Sequence, residues 1–244
     1  MAGNSKIEWT GATWNPVTGC TKVSDGCKNC YAERIACRLQ AQGQAHYIDG
    51  FKVRTHEDSL DIPLKWRKPR VVFVNSMGDL FHKDVPEEFL CRVFEVMNRA
   101  KHHIFQVLTK RSDYLLKMNS KLPWTENIWM GVSVENQRYL ERIDHLRGTS
   151  ANIKFISFEP LLGPITDINL TGIDWAILGG ESGPRARIMM GSWVENIRDQ
   201  CVEAKVPFFF KQWGGFDRKK NGRELDGKVW EEMPKIRSVA LLNF

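Results

Sequence analysis

The 244-residue chain contains no run of about 18 uninterrupted apolar residues, which excludes a membrane-spanning helix. Its first residues, MAGNSKIEWTGATW, lack the basic-then-apolar pattern of a secretory leader, so the expected location is the cytoplasm. No internal repeat, low-complexity tract or linker interrupts it, and one domain over 1–244 is expected. A disulfide framework is excluded on the same grounds, because clustered cysteines in a reducing compartment point to metal or catalysis. There is one CxxC, Cys27 to Cys30, and no second one to complete a zinc finger. The glycine-rich stretch 179–183 is not a GxGxxG fingerprint.

What is present is an ordinary soluble composition. The 42% hydrophobic fraction supports a real core, and 26% charged residues suit a solvated surface. Net charge is +6, which fits an anionic partner such as nucleic acid or a nucleotide, or simply a solvated basic surface.

Seven short β-rich runs recur, at 12–18, 71–79, 103–111, 128–136, 154–160, 175–183 and 207–215. Most are continuously apolar before a polar or glycine-rich end, as expected of parallel strands buried on both faces. Helical patterns lie between them, at 27–42, 85–101, 112–120, 137–148 and 192–204. The clearest has Glu87 and Glu88 in its first turn and an apolar stripe of Phe89, Val93, Phe94 and Met97. Ser112 and Ser192 lead two others as candidate caps. Strand alternating with helix at about 20–35 residues predicts an α/β fold of repeated βα units. Right-handed crossovers would close about six to seven parallel strands into a partial or full (β/α) barrel, with a doubly wound open sheet as the alternative. The irregular stretch 43–70 is expected to decorate the barrel, and 216–244 to cap its C-terminal side.

Active sites of βα barrels gather at the C-terminal ends of the strands. The polar clusters MGD, TKR, SVEN, FEP, GGES and KQW all fall at such ends, and a loop with three cysteines follows the first strand. That loop, GCTKVSDGCKNCYAER, carries Cys20, Cys27 and Cys30, three of the six cysteines within eleven residues. Cys37, Cys91 and Cys201 are scattered and read as ordinary thiols. A structural zinc needs four ligands, and candidates for the fourth are Cys37, nearby acidic side chains and His46. A 4Fe-4S cluster on three thiolates instead keeps one iron open to an external ligand. Gly19 and Gly26 let the chain wrap closely, and Tyr31 follows the last cysteine as a shield.

Three clustered cysteines after the first strand, an aromatic after the third, and a βα barrel resemble the radical S-adenosylmethionine superfamily. The first gap is wider, CX6CX2C against the usual CX3CX2C. More closely, the chain resembles phage- and mobile-element-associated three-Cys-motif proteins, a family of unsettled substrate. The matching residues are TWNPVTGCTKVSDGCKNCYAER, VNSMGDLFH, FQVLTKR, GVSVEN, FEPLLGPI, ILGGESGPRAR, FFFKQWGG and LDGKVWEEMP.

The resemblance implies a 4Fe-4S cluster on Cys20, Cys27 and Cys30, S-adenosyl-L-methionine as cofactor, and a flavodoxin or ferredoxin-like electron donor. It implies that Ser76, Met77, Gly78 and Asp79 stand where the superfamily receives the methionine amino group, with a helix cap as the alternative role for Asp79. Ser133, Glu135 and Asn136 stand where ribose hydroxyls or the methionine carboxylate are bound, and Glu135 suits a ribose diol. Glu159 suits the same task or a substrate contact. Gly179 and Gly180 permit close backbone approach to a flat or anionic ligand. Glu181, Arg185 and Arg187 follow, and Lys110, Arg111 and Lys211 complete a positive rim suited to a phosphate-bearing substrate. Trp14, Trp213 and Trp230 offer base stacking or core packing, and His82, His102 and His103 read as neutral helix-face residues. The expected function is radical modification or repair of a nucleic acid or nucleotide. The competing reading is a zinc-stabilised nucleic-acid-binding protein without catalysis.

Overall fold

The computed structural model describes residues 2–5 and 7–235. Seven strands run parallel in one sheet: β1 (Ala12–Trp14), β2 (Val71–Val74), β3 (Ile104–Thr109), β4 (Ile128–Ser133), β5 (Ile153–Phe158), β6 (Trp175–Gly179) and β7 (Phe208–Gln212). Their spatial order follows their chain order, and Ala2–Asn4 adds an antiparallel edge to β1. Among the described residues β7 does not pair with β1, so the barrel is partial. All seven apolar runs are strands, as the continuous hydrophobicity predicts.

Helices α1 (Tyr31–Ala41), α2 (Glu87–Arg99), α3 (Ser112–Met118), α4 (Glu141–Arg147) and α5 (Gly191–Glu203) fill the crossovers. The stripe of α2 is buried as its spacing requires, Phe89, Val93, Phe94 and Met97 all lying in the main core. The cap expectation fails at both serines. Ser112 lies inside α3, its hydroxyl bonded to His145 Nδ1, and α5 begins after Met190 with no side-chain cap.

Alternation along the strands sorts the two faces. Val72, Val74, Phe105, Val107, Met130, Val132, Ile156, Phe158, Ala176 and Leu178 pack with the helices. The intervening Phe73, Ile104, Trp129, Phe155, Trp175, Ile177 and Phe209 form a separate cluster around Trp9 on the other, concave face. Trp9 and Trp129 meet Trp175 edge to face, 6.2 and 6.1 Å between centroids. The same parity places Gln106, Ser133, Ser157, Gly179 and Lys211 on the concave face, nearer the strands' C-terminal ends. The concavity is therefore apolar at its base and polar at its mouth.

Two connections cover the edges. Arg54–Thr55, within 43–70, pairs antiparallel with Val17–Thr18 just before the cysteine loop. Of the stretch 216–244, residues 236–244 lie outside the described residues. Before them the chain returns along β7, with Phe210 N–H donating to Trp230 O and Glu232 N–H to Phe208 O. This satisfies an edge strand that would otherwise expose its backbone.

Candidate functional site

The segment 19–34 crosses the polar mouth and is fastened to one strand end after another. Gly19 N–H donates to Met77 O at 2.9 Å, beyond β2. Its φ is +84°, and a Cβ there would meet Lys52 O at 2.1 Å, so both conformation and space demand glycine. Thr21 comes next. Arg111, after β3, donates to its carbonyl at 3.0 Å and its hydroxyl at 2.9 Å, while His82 Nε2 meets the hydroxyl at 2.8 Å. Ser24 Oγ donates to Glu135 Oε1, after β4, at 2.5 Å. Asp25 pairs with Arg138, and its backbone N–H donates to the Tyr139 hydroxyl at 3.2 Å. Asn29, between Cys27 and Cys30, donates to Glu181 Oε2 after β6 and to Arg185 O, both at 2.9 Å. Tyr31 OH donates back to Ser76 O at 2.5 Å, and Arg34 reaches Ser182 O at 3.2 Å.

The three loop thiols are reduced and partly exposed. Arg111 approaches Cys20 Sγ at 3.8 Å, and Ser24 Oγ lies 3.7 Å from Cys27 Sγ. Burial pushes the Cys20 thiol up to about 11, with the Asp79 charge adding to the rise and Arg111 opposing it. One ion held by thiolates at about 2.3 Å keeps any two sulfurs within about 4.6 Å. Among the described residues, the three-donor group drawn within 4.8 Å is His46, His56 and Asp58, and the three thiols form no such group. Cys37 is exposed, Cys91 is half-buried, and Cys201 is buried in the core with its thiol pushed up to about 12.

The remaining predicted residues are gathered at the same mouth, but many are engaged with each other. Asp79 accepts from Thr109 Oγ1 at 2.7 Å, Phe81 N–H at 3.0 Å and Lys110 N–H at 3.3 Å, which ties β2 to β3; no helix begins there, since α2 starts only at Glu87. Ser76 O and Met77 O accept from Tyr31 and Gly19, and Asn15 Oδ1 accepts from the Ser76 hydroxyl and the Met77 amide. Gly78 lies against Gly19 in a parallel bridge. Ser133 O accepts from Arg142 at 2.7 Å. Glu135 is completely buried, with one oxygen on Ser24 and the other on Arg142 at 2.8 Å. Both carboxylate oxygens thus serve the loop and α4. Asn136 caps a short turn through Arg138 N–H.

On the far side, Gly180 gives room to the returning chain, because a Cβ there would meet Trp213 O at 2.1 Å. Gly179 lies between Glu159, which precedes a cis proline, and Lys211. Lys211 Nζ donates to Glu159 Oε1 at 2.6 Å. Arg187 holds Glu181 through three hydrogen bonds of 2.6–3.0 Å. Lys110 Nζ lies 3.9 Å from Glu135, and Arg111 Nε 3.9 Å from Asp79. Lys110, Arg111, Arg187 and Lys211 of the rim thus each lie within 4 Å of a carboxylate. Arg185 is exposed, with φ +66°. A cleft of about 450 Å³ opens beside the loop, lined by Asp25, Asn136, Arg138, Gly163 and Arg187.

The tryptophans are packed rather than displayed. Trp14 is fully buried and donates to Ser59 O, Trp213 meets Phe210 edge to face, and Trp230 meets Phe208. Of the two roles expected, core packing is the one the structure shows. His102 and His103 bond the carbonyls of Trp66 and Pro63. His82, fully buried, proves to be a loop anchor, its Nδ1 accepting from Asp84 N–H. That bond fixes the Nε2–H tautomer facing Thr21. Burial holds its pKa below the ordinary value, with the Arg111 charge adding to the effect. Ser24, Asn29, Arg142 and His82 escape sequence reasoning because their partners lie far away in the chain or on other elements.

A family model described as "Protein of unknown function (DUF5131)" matches residues 4–234. The chain belongs to that family. For this DUF5131 member, no curated protein gives a sequence match. Among solved structures, spore photoproduct lyase complexed with dinucleoside spore photoproduct is similar at 14% identity and a TM-score of 0.47. A mutant of that lyase with bound AdoMet and the same dinucleoside gives 14% identity and 0.48. Each alignment covers 73% of this chain and 58% of the other, so the DUF5131 chain spans less than two thirds of those proteins. No helix among the described residues is long and apolar enough to cross a membrane.

Proposed function

We propose that this chain is a radical S-adenosylmethionine enzyme whose 4Fe-4S cluster is held by Cys20, Cys27 and Cys30. The observation that carries the reading is the crossing of the mouth by segment 19–34. Its cysteines hang over the polar end of a parallel half-barrel, where such folds place their chemistry. Held by Cys20, Cys27 and Cys30, the cluster would supply the one-electron reduction of the sulfonium of S-adenosylmethionine on which radical chemistry depends.

The chain's own residues set the surroundings. Glu135, Asn29 and Arg111 hold the loop at three strand ends, which would position the thiols for the cluster. The apolar base around Trp9, Trp129 and Trp175 closes the concavity from below and excludes water. Ser76–Asp79 and Ser133 are proposed to border the cofactor, together with Gly179 and Gly180, whose missing side chains leave the mouth open. Lys110, Glu159, Glu181, Arg185, Arg187 and Lys211 are proposed to face substrate, and the Lys211–Glu159 pair fixes both side chains across Gly179.

Nucleic acid or a nucleotide is the proposed substrate class. Its support is the net charge of +6, the exposed Arg185 and the cleft-lining Arg138 and Arg187. A flavodoxin or ferredoxin-like protein is the proposed electron donor. The zinc-stabilised binding module is the second reading, and the lack of a second CxxC to complete a four-ligand site weighs against it.

Anaerobic purification and reconstitution test the choice. The enzyme reading requires a brown protein with about four irons and four sulfides per chain. Dithionite-reduced protein must release 5′-deoxyadenosine from S-adenosylmethionine. A colourless protein with one stoichiometric zinc, or no 5′-deoxyadenosine beside an active control enzyme, overturns it.

A further inference from the structure

A second group of ligand-type side chains converges away from the strand ends. His46, His56 and Asp58 each bring one donor atom within 4.8 Å of the others. They come from three short pieces of the connection between α1 and β2. His46 lies on the turn Ala45–Tyr47, His56 follows Arg54–Thr55, and Asp58 lies on the four-residue helix Glu57–Leu60. The two imidazoles stack face to face, with centroids 4.2 Å apart and planes at 26°. His46 Nε2 meets Asp58 Oδ2 at 2.8 Å. His56 is buried, while the Asp58 side chain is 68% exposed, so the group opens to solvent on its carboxylate side.

Two imidazole lone pairs and a carboxylate this close repel unless positive charge lies among them. A proton shared between His46 and Asp58 accounts for those two only. It leaves the stacked His56 unexplained. A metal ion accounts for all three donors. A buried hydroxyl also orients His56, since its Nε2 lies 2.8 Å from Thr18 Oγ1. With Nε2–H donating to Thr18, Nδ1 carries the lone pair, the arrangement in which ligating histidines are usually held.

We propose that His46, His56 and Asp58 bind one divalent ion of the zinc class, with two nitrogens, one oxygen and water completing the shell. The ion ties the 43–60 connection to Thr18, and Thr18 leads directly into Gly19 and Cys20. Its role is to brace the base of the cysteine loop. It is independent of what the loop itself carries.

The test uses untagged protein in which Cys20, Cys27 and Cys30 are all replaced by Ser, so that no loop thiolate competes for the probe. Zinc alone is the probe, read by equilibrium dialysis with metal analysis and by thermal unfolding. One zinc per chain and a raised melting midpoint are expected, and cobalt in its place should show ligand-field bands without thiolate charge transfer. His46→Gln and Asp58→Asn should each weaken zinc at least tenfold and remove the thermal shift. If the triple variant does not fold, the cluster-loaded wild-type chain replaces it, and His46→Gln should then lose one zinc while keeping its iron. Zinc absent from both proteins, or binding unchanged by His46→Gln, overturns the site. Because iron content is read separately, its failure and that of the cluster reading are distinguishable.

Discussion

Ser24 Oγ donates to Glu135 Oε1 at 2.5 Å, joining the cysteine loop to the end of β4 across 111 residues of sequence. The other Glu135 oxygen belongs to Arg142, whose side chain is itself only 6% exposed. Removing one partner of such a pair leaves a buried charge uncompensated. Glu135→Ala should therefore cost about 3–5 kcal/mol in urea unfolding. Glu135→Gln keeps an oxygen for Ser24 and should cost less. Equal losses for the two variants would show that the charge is not what matters. If Glu135 holds the loop, both variants should also bind less iron after reconstitution.

Gly26 reports on the same joint by geometry. A Cβ at that position would lie 2.4 Å from Glu135 Oε1 and 2.6 Å from its Cγ. The carboxylate is held by Ser24 and Arg142 and has nowhere to yield. Gly26→Ala should destabilise by about 1–3 kcal/mol and reduce iron uptake. Gly3→Ala, with nothing within 4 Å of its added carbon, is the control. A silent Gly26→Ala would mean that the loop packs less closely on β4 than described.

Arg111 carries a prediction of a different kind. Its guanidinium reaches Cys20 Sγ at 3.8 Å and both oxygens of Thr21. Hydrogen bonds and positive charge near a cluster sulfur favour the more negative, reduced state. Arg111→Gln should shift the cluster's midpoint potential downward by about 60 mV, a tenfold change for one electron. Redox titration followed by electron paramagnetic resonance measures it without any substrate. An unmoved potential with unchanged iron content would remove Arg111 from the cluster's surroundings.

The strands were legible because parallel strands buried on both faces leave continuous apolar runs, and β3 to β6 show this directly. The loop's place after β1 was legible for the same reason. The engagement of the rim was not. Glu135, Glu181 and Lys211 have the same residue types whether they face a ligand or another side chain. The partner that decides the question, Ser24 or Asn29 or Glu159, lies 52 to 152 residues away. Trp14 was open in the same way, since an indole at a strand end stacks or packs according to what the 43–70 connection lays over it. His46, His56 and Asp58 share no familiar spacing, and only the fold brings them together.

Glu181 gives the last prediction, through acid. Burial alone would raise its carboxyl, but hydrogen bonds from Arg187 and Asn29 outweigh that, and its pKa is held below the ordinary value of 4.5. The unfolded chain therefore takes up this proton first as pH falls. By linkage, the stabilisation is fully present above the unfolded value and is lost as pH drops through the folded one. Glu181→Gln removes the charge at every pH. Wild type should thus exceed the variant in urea midpoint at neutral pH, and the gap should narrow below about pH 4.5. Because Glu181 also holds Asn29, between two of the loop cysteines, the same acid range should loosen the loop and release iron more readily from wild type. A gap that stays constant down to pH 3 would show that the carboxylate's charge contributes nothing to holding the loop.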